Sequence, residues 1–505
     1  MVPAVARRTL TSRASADVVV VGAGVVGVAC AHYLSRRGAR VLLLDYRPPL
    51  SHTSSLSTEC YRNYWAGNGP MTAFMDRSID LLEARAAECG NAFSMNRRGY
   101  CFLTRTQEGA ERHAAAAAAA TRTGIGGGAI HTDGQHGVAY RGAALPYDAS
   151  VDGLTVFQGA DAIRSFFSRG GLPDFVSPEV TSLLHCGRCG WMNAQQMGSA
   201  LLEGARAYGT STLIPATLTA VTTDADGSDG SDGGAGRVTG VVVSTPDEAA
   251  RHIACGAVVN AAGPYARHVG ELLTSAAAPP LPLENEVHAK VMLRDDQGAV
   301  PPEAPMMIYE DDVTLPWSDE EADALRGMGG FEASLTRPLA AGAHFRPYPG
   351  ATSTLLLLWE ALHADMQVAE PPPAEPELRG SLFAELLLRG LSPMVPALGS
   401  AYLSEDGSMR ANVSIDGGYY TRTPDNLPLV GAMAGAPRGA YVCAGLSGYG
   451  VMGANAAGEL LAGLMSGEAP PAAFEYDETF DPERWSRPEY VRKVAAGQSG
   501  RGLQI

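Results

Sequence analysis

The chain is short of cysteine, of aromatic residues and of positive charge, and each shortage excludes something. Its 505 residues include eight cysteines, five tryptophans and 7% aromatic residues in all. Cysteines this sparse do not form a disulfide framework. Cys186-Gly-Arg-Cys189 has ligand-like spacing, but no second CxxC and no HxxxH completes a zinc site. No metal is expected, and the thiols read as structural or incidental, with a redox pair as the alternative. Lys and Arg number 38 against 54 Asp and Glu, a formal charge of −16. That balance repels a phosphate backbone and argues against nucleic-acid binding. No apolar run approaches the ~20 residues of a membrane span; Thr354–Trp359 and Leu382–Leu388 are far shorter. With 46% hydrophobic and 18% charged residues the profile is that of a globular chain with material for a sizeable core.

Residues 1–16 carry Arg7, Arg8 and Arg13, several hydroxyl residues and no acid. This is the composition of an organelle transit peptide, so mitochondrial import is expected; a short disordered tail is the alternative.

The most informative stretch follows at Asp17. Val18–Val21 is a β-branched run of the kind buried in a parallel sheet. Gly22-Ala23-Gly24-Val25-Val26-Gly27 comes next, then a helical pattern to Arg37 stopped by Gly38, then a second apolar strand, Val41–Leu44, ending in Asp45. In such a strand–turn–helix–strand unit Gly22 permits the turn, Gly24 lets the backbone approach a pyrophosphate, and Gly27 lets helix and strand sit close. The helix N-terminus offers unpaired N–H groups to phosphates, and Asp45 can accept from a ribose hydroxyl. A dinucleotide site is expected, with NAD and FAD both open at this point.

Near the other end lie Thr423-Pro424-Asp425, a strand-like Ala440–Ala444, and Gly445-Leu-Ser447-Gly448-Tyr449-Gly450-Val451-Met452 leading into a helix. A second glycine-rich strand-to-helix turn this far along implies a cofactor domain that is discontinuous in sequence. With Thr53–Arg62 and Val258-Val-Asn260-Ala261-Ala-Gly263, these pieces, in this order from about residue 17 to residue 468, resemble the D-amino-acid oxidase/sarcosine oxidase superfamily of FAD-dependent oxidoreductases. The loop Ser57-Thr58-Glu-Cys-Tyr-Arg62 is similar to that of mitochondrial FAD-dependent oxidoreductase domain-containing proteins. The resemblance implies an α/β molecule: a Rossmann-like FAD-binding lobe from residues 17–90, 191–275 and 416–470, and an α+β substrate lobe on a mixed or antiparallel sheet from 91–190 and 276–415. Residues 471–505 are left as a C-terminal tail. Cofactor contacts are then expected at Gly22, Ala23, Gly24, Val25, Val26, Gly27, Asp45, Tyr46, Ser55, Ser57, Thr58, Arg62, Leu218, Asn260, Ala261, Gly263, Gly445, Ser447, Gly448, Gly450, Val451 and Met452.

The middle of the chain fits that division. Asn193 can cap a helix through Tyr208, Ser211–Thr223 and Val238–Ser244 read as strands, and the Asp-Gly repeats between them read as a hairpin loop rather than a calcium site. Ser318-Asp-Glu-Glu321 reads as a capping box.

A flavin performs the electron chemistry itself, so the chain must bind, orient and exclude. Alternation along Glu284–Lys290 puts His288 and Lys290 on one strand face, and the resemblance places that strand by the flavin. Arg346, in a family-like Arg-Pro pair, and Tyr449, in the second glycine turn, are further candidates for catalysis, with Arg410 and Tyr420 as additional possibilities. Some sarcosine oxidases tether FAD through a cysteine before Thr-Pro-Asp; here Gly418 stands there. Histidine-tethered relatives carry theirs after the second strand, but Thr53–Arg62 has none, although His52 adjoins it. Non-covalent FAD is expected. The expected activity is oxidation of a small amine, amino acid or 2-hydroxy acid, with oxygen or a protein or quinone as acceptor. The alternatives are a flavin-containing assembly factor of a respiratory complex and an NAD(P)-dependent dehydrogenase. Oligomeric state is not legible.

Overall fold

The computed structural model describes residues 15–123, 125–151, 153–224, 236–275, 278–348, 353–404 and 408–497. The arginines of the expected import segment and most of the Asp-Gly loop lie outside the described residues. The described residues divide into two compact units, 15–55 with 195–284 and 421–497, and 56–194 with 285–420.

In the first unit Val18–Val21, buried throughout, runs inside a six-stranded sheet. The order is Leu429–Ala432, Ala440–Ala444, Ala257–Asn260, Val18–Val21, Val41–Leu44, Ser211–Leu213. All neighbours are parallel except the first pair. Strands covered on both faces need continuous apolar runs, which is what VVVV and VLLL supply. The helix Val25–Arg36 packs along the helix Gly450–Met465 so closely that a Cβ on Gly458 would sit 2.8 Å from the Ala29 carbonyl carbon. The Tyr33 hydroxyl donates across that seam to Asn455 Oδ1 at 3.1 Å.

The run Ser211–Thr223 is two strands, not one. Ser211–Leu213 joins the parallel sheet, whereas Thr217–Thr223 pairs with Val238–Thr245 in a separate antiparallel sheet. Pro215 stands between them, and with no N–H to donate it cannot continue a ladder. The helix after Asn193 spans Ala194–Ala207, and Ser318 and Glu321 form the reciprocal capping box.

The second unit is built on a nine-stranded mixed sheet running from Val413–Arg422 and Glu284–Arg294 through to Gly128–His131. Ala289, Val291, Leu293, Phe345, Leu355 and Leu357 face a core shared with Phe383 and Leu387 of the helix Gly380–Leu391. Alternation therefore leaves Glu286, His288 and Lys290, and likewise His344 and Arg346, on the opposite face.

The division differs from the sequence reading at several boundaries: residues 191–194 fall in the second unit and 278–284 in the first. Residues 56–90 and 416–420 fall in the second unit, where Cys60–Arg62 pairs with Cys189–Trp191. Residues 471–497 are an integral part of the first unit rather than a tail: Val430 donates its N–H to the Phe480 carbonyl at 2.9 Å.

Candidate functional site

Parallel pairing brings the C-terminal ends of four strands to one edge of the six-stranded sheet. Val21 stands opposite both Asn260 and Leu44, and Asn260 opposite Val442. The turns leaving that edge are Gly22–Gly27, Asp45–Tyr46, Ala261–Gly263 and Gly445–Met452, three of them leading into helices. Ligands of open parallel sheets bind at such an edge.

The three fingerprint glycines have different neighbours. Gly22 has φ +104°, and a Cβ there would lie 2.3 Å from the Ala261 carbonyl oxygen. A Cβ on Gly27 would lie 1.8 Å from the Gly22 carbonyl oxygen. Gly24 is different: its backbone is extended, and a Cβ would meet only the Ser54 hydroxyl, at 3.2 Å. Only a side-chain hydroxyl thus stands beside Gly24, while the other two glycines are closed against backbone. The helix begins at Val25 with no side-chain cap at Gly24, although Ser54 Oγ accepts from the Val25 N–H at 2.9 Å. The Gly450–Met465 helix likewise starts without a side-chain cap. Both helices start at one sheet edge from residues, Gly24 and Tyr449, whose own side chains make no cap, and helix starts so placed suit an anionic pyrophosphate.

The Asp45 carboxylate closes this arrangement by accepting from the Ala23 N–H at 2.6 Å and the Arg47 N–H at 3.0 Å. Each oxygen keeps a further lone pair for a hydroxyl donor. Tyr46 is half-exposed, packs edge-on to Tyr265 and carries Arg47 5.2 Å from its ring; burial pushes its phenol pKa up. Asn260 is fully buried and donates to the Ala266 carbonyl at 2.7 Å, fixing the turn that holds Gly263 at φ +55°. Ser447 has φ +45°, and its hydroxyl donates to Asn426 Oδ1. Ser55 bonds back to the His52 carbonyl through both N–H and hydroxyl. These groups fit a dinucleotide with two phosphates and a ribose.

Leu218 does not join that edge. It lies in the separate antiparallel sheet with its side chain in the hydrophobic core; Ala216, two residues earlier, is the one whose N–H reaches the Asp45 carbonyl, at 2.7 Å.

Of the residues expected to carry chemistry, three have their polar groups engaged internally. The buried Tyr449 hydroxyl donates to the Asn426 carbonyl at 2.8 Å, and burial raises its pKa. Arg346 has no exposed surface. It donates to the Thr58 carbonyl from Nε at 3.0 Å and from Nη2 at 2.7 Å, to the Pro347 carbonyl from Nη1 at 3.1 Å, and to Glu59 at 3.2 Å. Lys290 donates to the Leu56 carbonyl at 2.8 Å and pairs with Asp416; burial pushes its ammonium pKa down, against the pull of that carboxylate. Lys290 and Arg346 therefore clamp the 56–59 loop, in which Glu59 adopts φ +64°. Ser57 supports the same loop by accepting from the Glu59 N–H at 2.9 Å. Arg62 is buried with its guanidinium 4.8 Å from the Trp65 ring.

His288 is the fourth candidate. Its ring stacks on Tyr420 at 3.5 Å, and Nε2 lies 3.3 Å from Glu360 and 3.6 Å from Glu286. Glu360 and Tyr420 are distant in sequence, and no local pattern marks them as its partners. His344 on the same face is kept neutral: burial lowers its pKa to about 4, and its Nδ1–H donates to the Gly342 carbonyl at 2.7 Å. Cys186 and Cys189 are buried with their sulfurs 3.0 Å apart, and no cluster of metal-ligating side chains occurs among the described residues. No helix among the described residues is long and apolar enough to cross a membrane.

Comparison with known proteins agrees with this geometry. L-proline dehydrogenase from P. horikoshii superposes with a TM-score of 0.65 at 18% identity, covering 94% of this chain and 99% of that one. Glycine oxidase from Bacillus cereus gives 0.60 at 14% identity over 91% and 98%. Iminodiacetate oxidase from a Chelativorans species gives 0.59 at 15% identity over 92% and 100%. A tRNA 5-methylaminomethyl-2-thiouridine biosynthesis bifunctional protein of Thiobacillus denitrificans is 35% identical over 99 residues, which span 20% of this chain and 15% of that protein. The model of the FAD-dependent oxidoreductase family (DAO) matches residues 17–464. The chain belongs to that family of FAD-dependent oxidoreductases.

Proposed function

We propose that the chain holds FAD without a covalent bond and oxidises the carbon–nitrogen bond of a small amino acid or related amine. The observation that carries the cofactor half is the sheet edge, where the Gly24 backbone has no other backbone packed against it, two helices start, and Asp45 stands ready for a ribose. When bound, a flavin supplies the acceptor for two electrons from substrate. The substrate half is supported by the neighbours, whose names specify proline, glycine and iminodiacetate, each an amine bearing a carboxylate.

The chain's own tasks follow. The first unit binds and orients the cofactor through the turns at its sheet edge. In the second unit His288, steadied by Tyr420 and flanked by Glu286 and Glu360, is the side chain that takes a proton from the substrate ammonium, leaving the neutral amine that oxidation requires. Lys290 and Arg346 keep the 56–59 loop in place. The arginine-rich, acid-free start supports mitochondrial import, and electrons leave to oxygen or to a protein or quinone acceptor.

The test is anaerobic bleaching of the flavin band at about 450 nm with a panel of α-amino acids, N-substituted amines and 2-hydroxy acids. Bleaching by one or more amino acids or amines supports the reading. Bleaching by hydroxy acids alone, or by nothing, overturns its substrate half.

A further inference from the structure

Beyond the family match, which ends at residue 464, the chain continues into a segment that returns to the cofactor unit. This segment, Tyr476–Thr479, Pro482–Ser486 and Pro488–Ala495, is tied down by a fully buried ion pair. Asp425 and Arg484 have no exposed surface. Arg484 donates to Asp425 from Nε at 3.0 Å and from Nη2 at 3.4 Å, and to the Leu427 carbonyl at 3.0 Å. The Tyr490 hydroxyl donates to Asp425 at 2.6 Å, and the Tyr476 hydroxyl to the Val430 carbonyl at 2.9 Å.

The turn seized in this way is joined to the cofactor edge. Asp425 also accepts from the Thr423 hydroxyl at 2.6 Å and the Leu427 N–H at 2.9 Å, which shapes the turn and holds Asn426 at φ +57°. Asn426 in turn receives the Tyr449 hydroxyl on its carbonyl and the Ser447 hydroxyl on its side chain, and Ser447 donates its N–H to the Thr421 carbonyl at 2.9 Å. Ser447 and Tyr449 stand immediately before the Gly450–Met465 helix, one of the two helix starts at the edge. A continuous set of bonds thus runs from Arg484 through Asp425 and Asn426 to the start of that helix.

We propose that the C-terminal segment is a positioning element of the cofactor site, with Arg484 and Tyr490 as positioning residues that fix the 445–450 turn through Asp425. Taking away one partner of a buried pair leaves the other charge uncompensated. The turn then has alternatives to its bound form, and apparent affinity falls with the fraction of chains in the competent arrangement. The proposal rests on the reading that FAD binds at this edge.

The experiment titrates FAD into full-length apoprotein of wild type, Arg484→Met and Tyr490→Phe, recording apoprotein melting and the visible circular dichroism of the bound flavin. The expected result is FAD binding weakened about tenfold or more in Arg484→Met, a change of about 1.4 kcal/mol. A smaller weakening is expected in Tyr490→Phe, with an altered flavin dichroism in both. A lower melting temperature with wild-type affinity and dichroism would overturn the proposal, because a role confined to stability predicts that outcome. If Arg484→Met does not fold, Tyr490→Phe decides alone, unchanged affinity overturning the proposal and weakened affinity supporting it. Wild-type protein that fails to bind FAD would instead overturn the cofactor reading itself.

Discussion

Gly24→Ala and Gly27→Ala should separate cofactor binding from folding, although the two glycines are three residues apart. At Gly27 the added methyl would sit 1.8 Å from the Gly22 carbonyl oxygen and 2.9 Å from its carbon, both backbone atoms of the turn itself. Backbone cannot rotate away as a side chain can. The helix must lift from the sheet, and overpacking of this kind costs about 1–3 kcal/mol, with this site at the upper end. A loss of 3 kcal/mol is roughly a 150-fold shift toward unfolded chain. At Gly24 the backbone is already extended, so alanine carries no conformational strain, and the methyl meets only a hydroxyl at 3.2 Å. Apoprotein stability should move by less than about 1 kcal/mol, with a small gain allowed from the stiffer unfolded chain. The methyl does, however, enter the space through which a pyrophosphate approaches the backbone. FAD affinity should fall by about one to two orders of magnitude, or about 1.4–2.8 kcal/mol. Urea unfolding of apoprotein gives the first quantity and flavin fluorescence titration the second. Gly24→Ala that destabilised the apoprotein yet bound FAD as tightly as wild type would refute the assignment of the site to this edge.

Four further outcomes are expected. Arg346→Met leaves Glu59 without its buried cation, and unfolding should cost about 3–5 kcal/mol less than in wild type; unchanged stability would show that the 56–59 clamp is dispensable. His288→Ala should keep its full complement of FAD but reduce it with substrate at least ~10²-fold more slowly, and wild-type reduction rates would remove His288 from the chemistry. His185, His344 and His363 are each held at about pKa 4 by burial, so the unfolded chain binds more protons than the folded one between pH 6.5 and 4. Stability is therefore fully present above pH 6.5 and is lost on acidification, by about 2 kcal/mol per histidine between pH 7.5 and 5; His185→Leu should flatten the denaturation-midpoint profile, and an identical slope would contradict the burial argument. Deleting residues 2–14 should leave FAD binding intact, because the first core strand begins at Val18; loss of mitochondrial location in the deleted protein would support the import reading, and unchanged location would remove it.

The sequence shows most clearly what depends on near neighbours. The strand, turn, helix and acid of Val18–Asp45 lie within one continuous stretch, and their periods and glycines can be read directly. The capping box at Ser318 and the helix after Asn193 are legible for the same reason. Ser211–Thr223 reads as one strand because its apolar pattern runs on past Pro215, where the ladder must break and the chain changes sheet. Arg346 and Lys290 look like catalytic cations when only their own strands are considered. Their partners, the Thr58 and Leu56 carbonyls, are set more than 200 residues away by the pairing of distant strands. The Asp425–Arg484 pair was invisible for a related reason: an aspartate in a turn and an arginine near a chain end each look solvated until the fold buries both.

Acid precipitation of purified protein shows whether the sheet edge holds FAD without a covalent bond. The motivating observations are the Gly24 backbone at the sheet edge, Gly418 where some relatives carry a tethering cysteine, and a Thr53–Arg62 loop without histidine. A yellow protein should leave a colourless pellet and release its flavin, as FAD, into the supernatant. Flavin retained by the pellet would contradict the non-covalent claim, and colourless protein that takes up no added FAD would contradict the site.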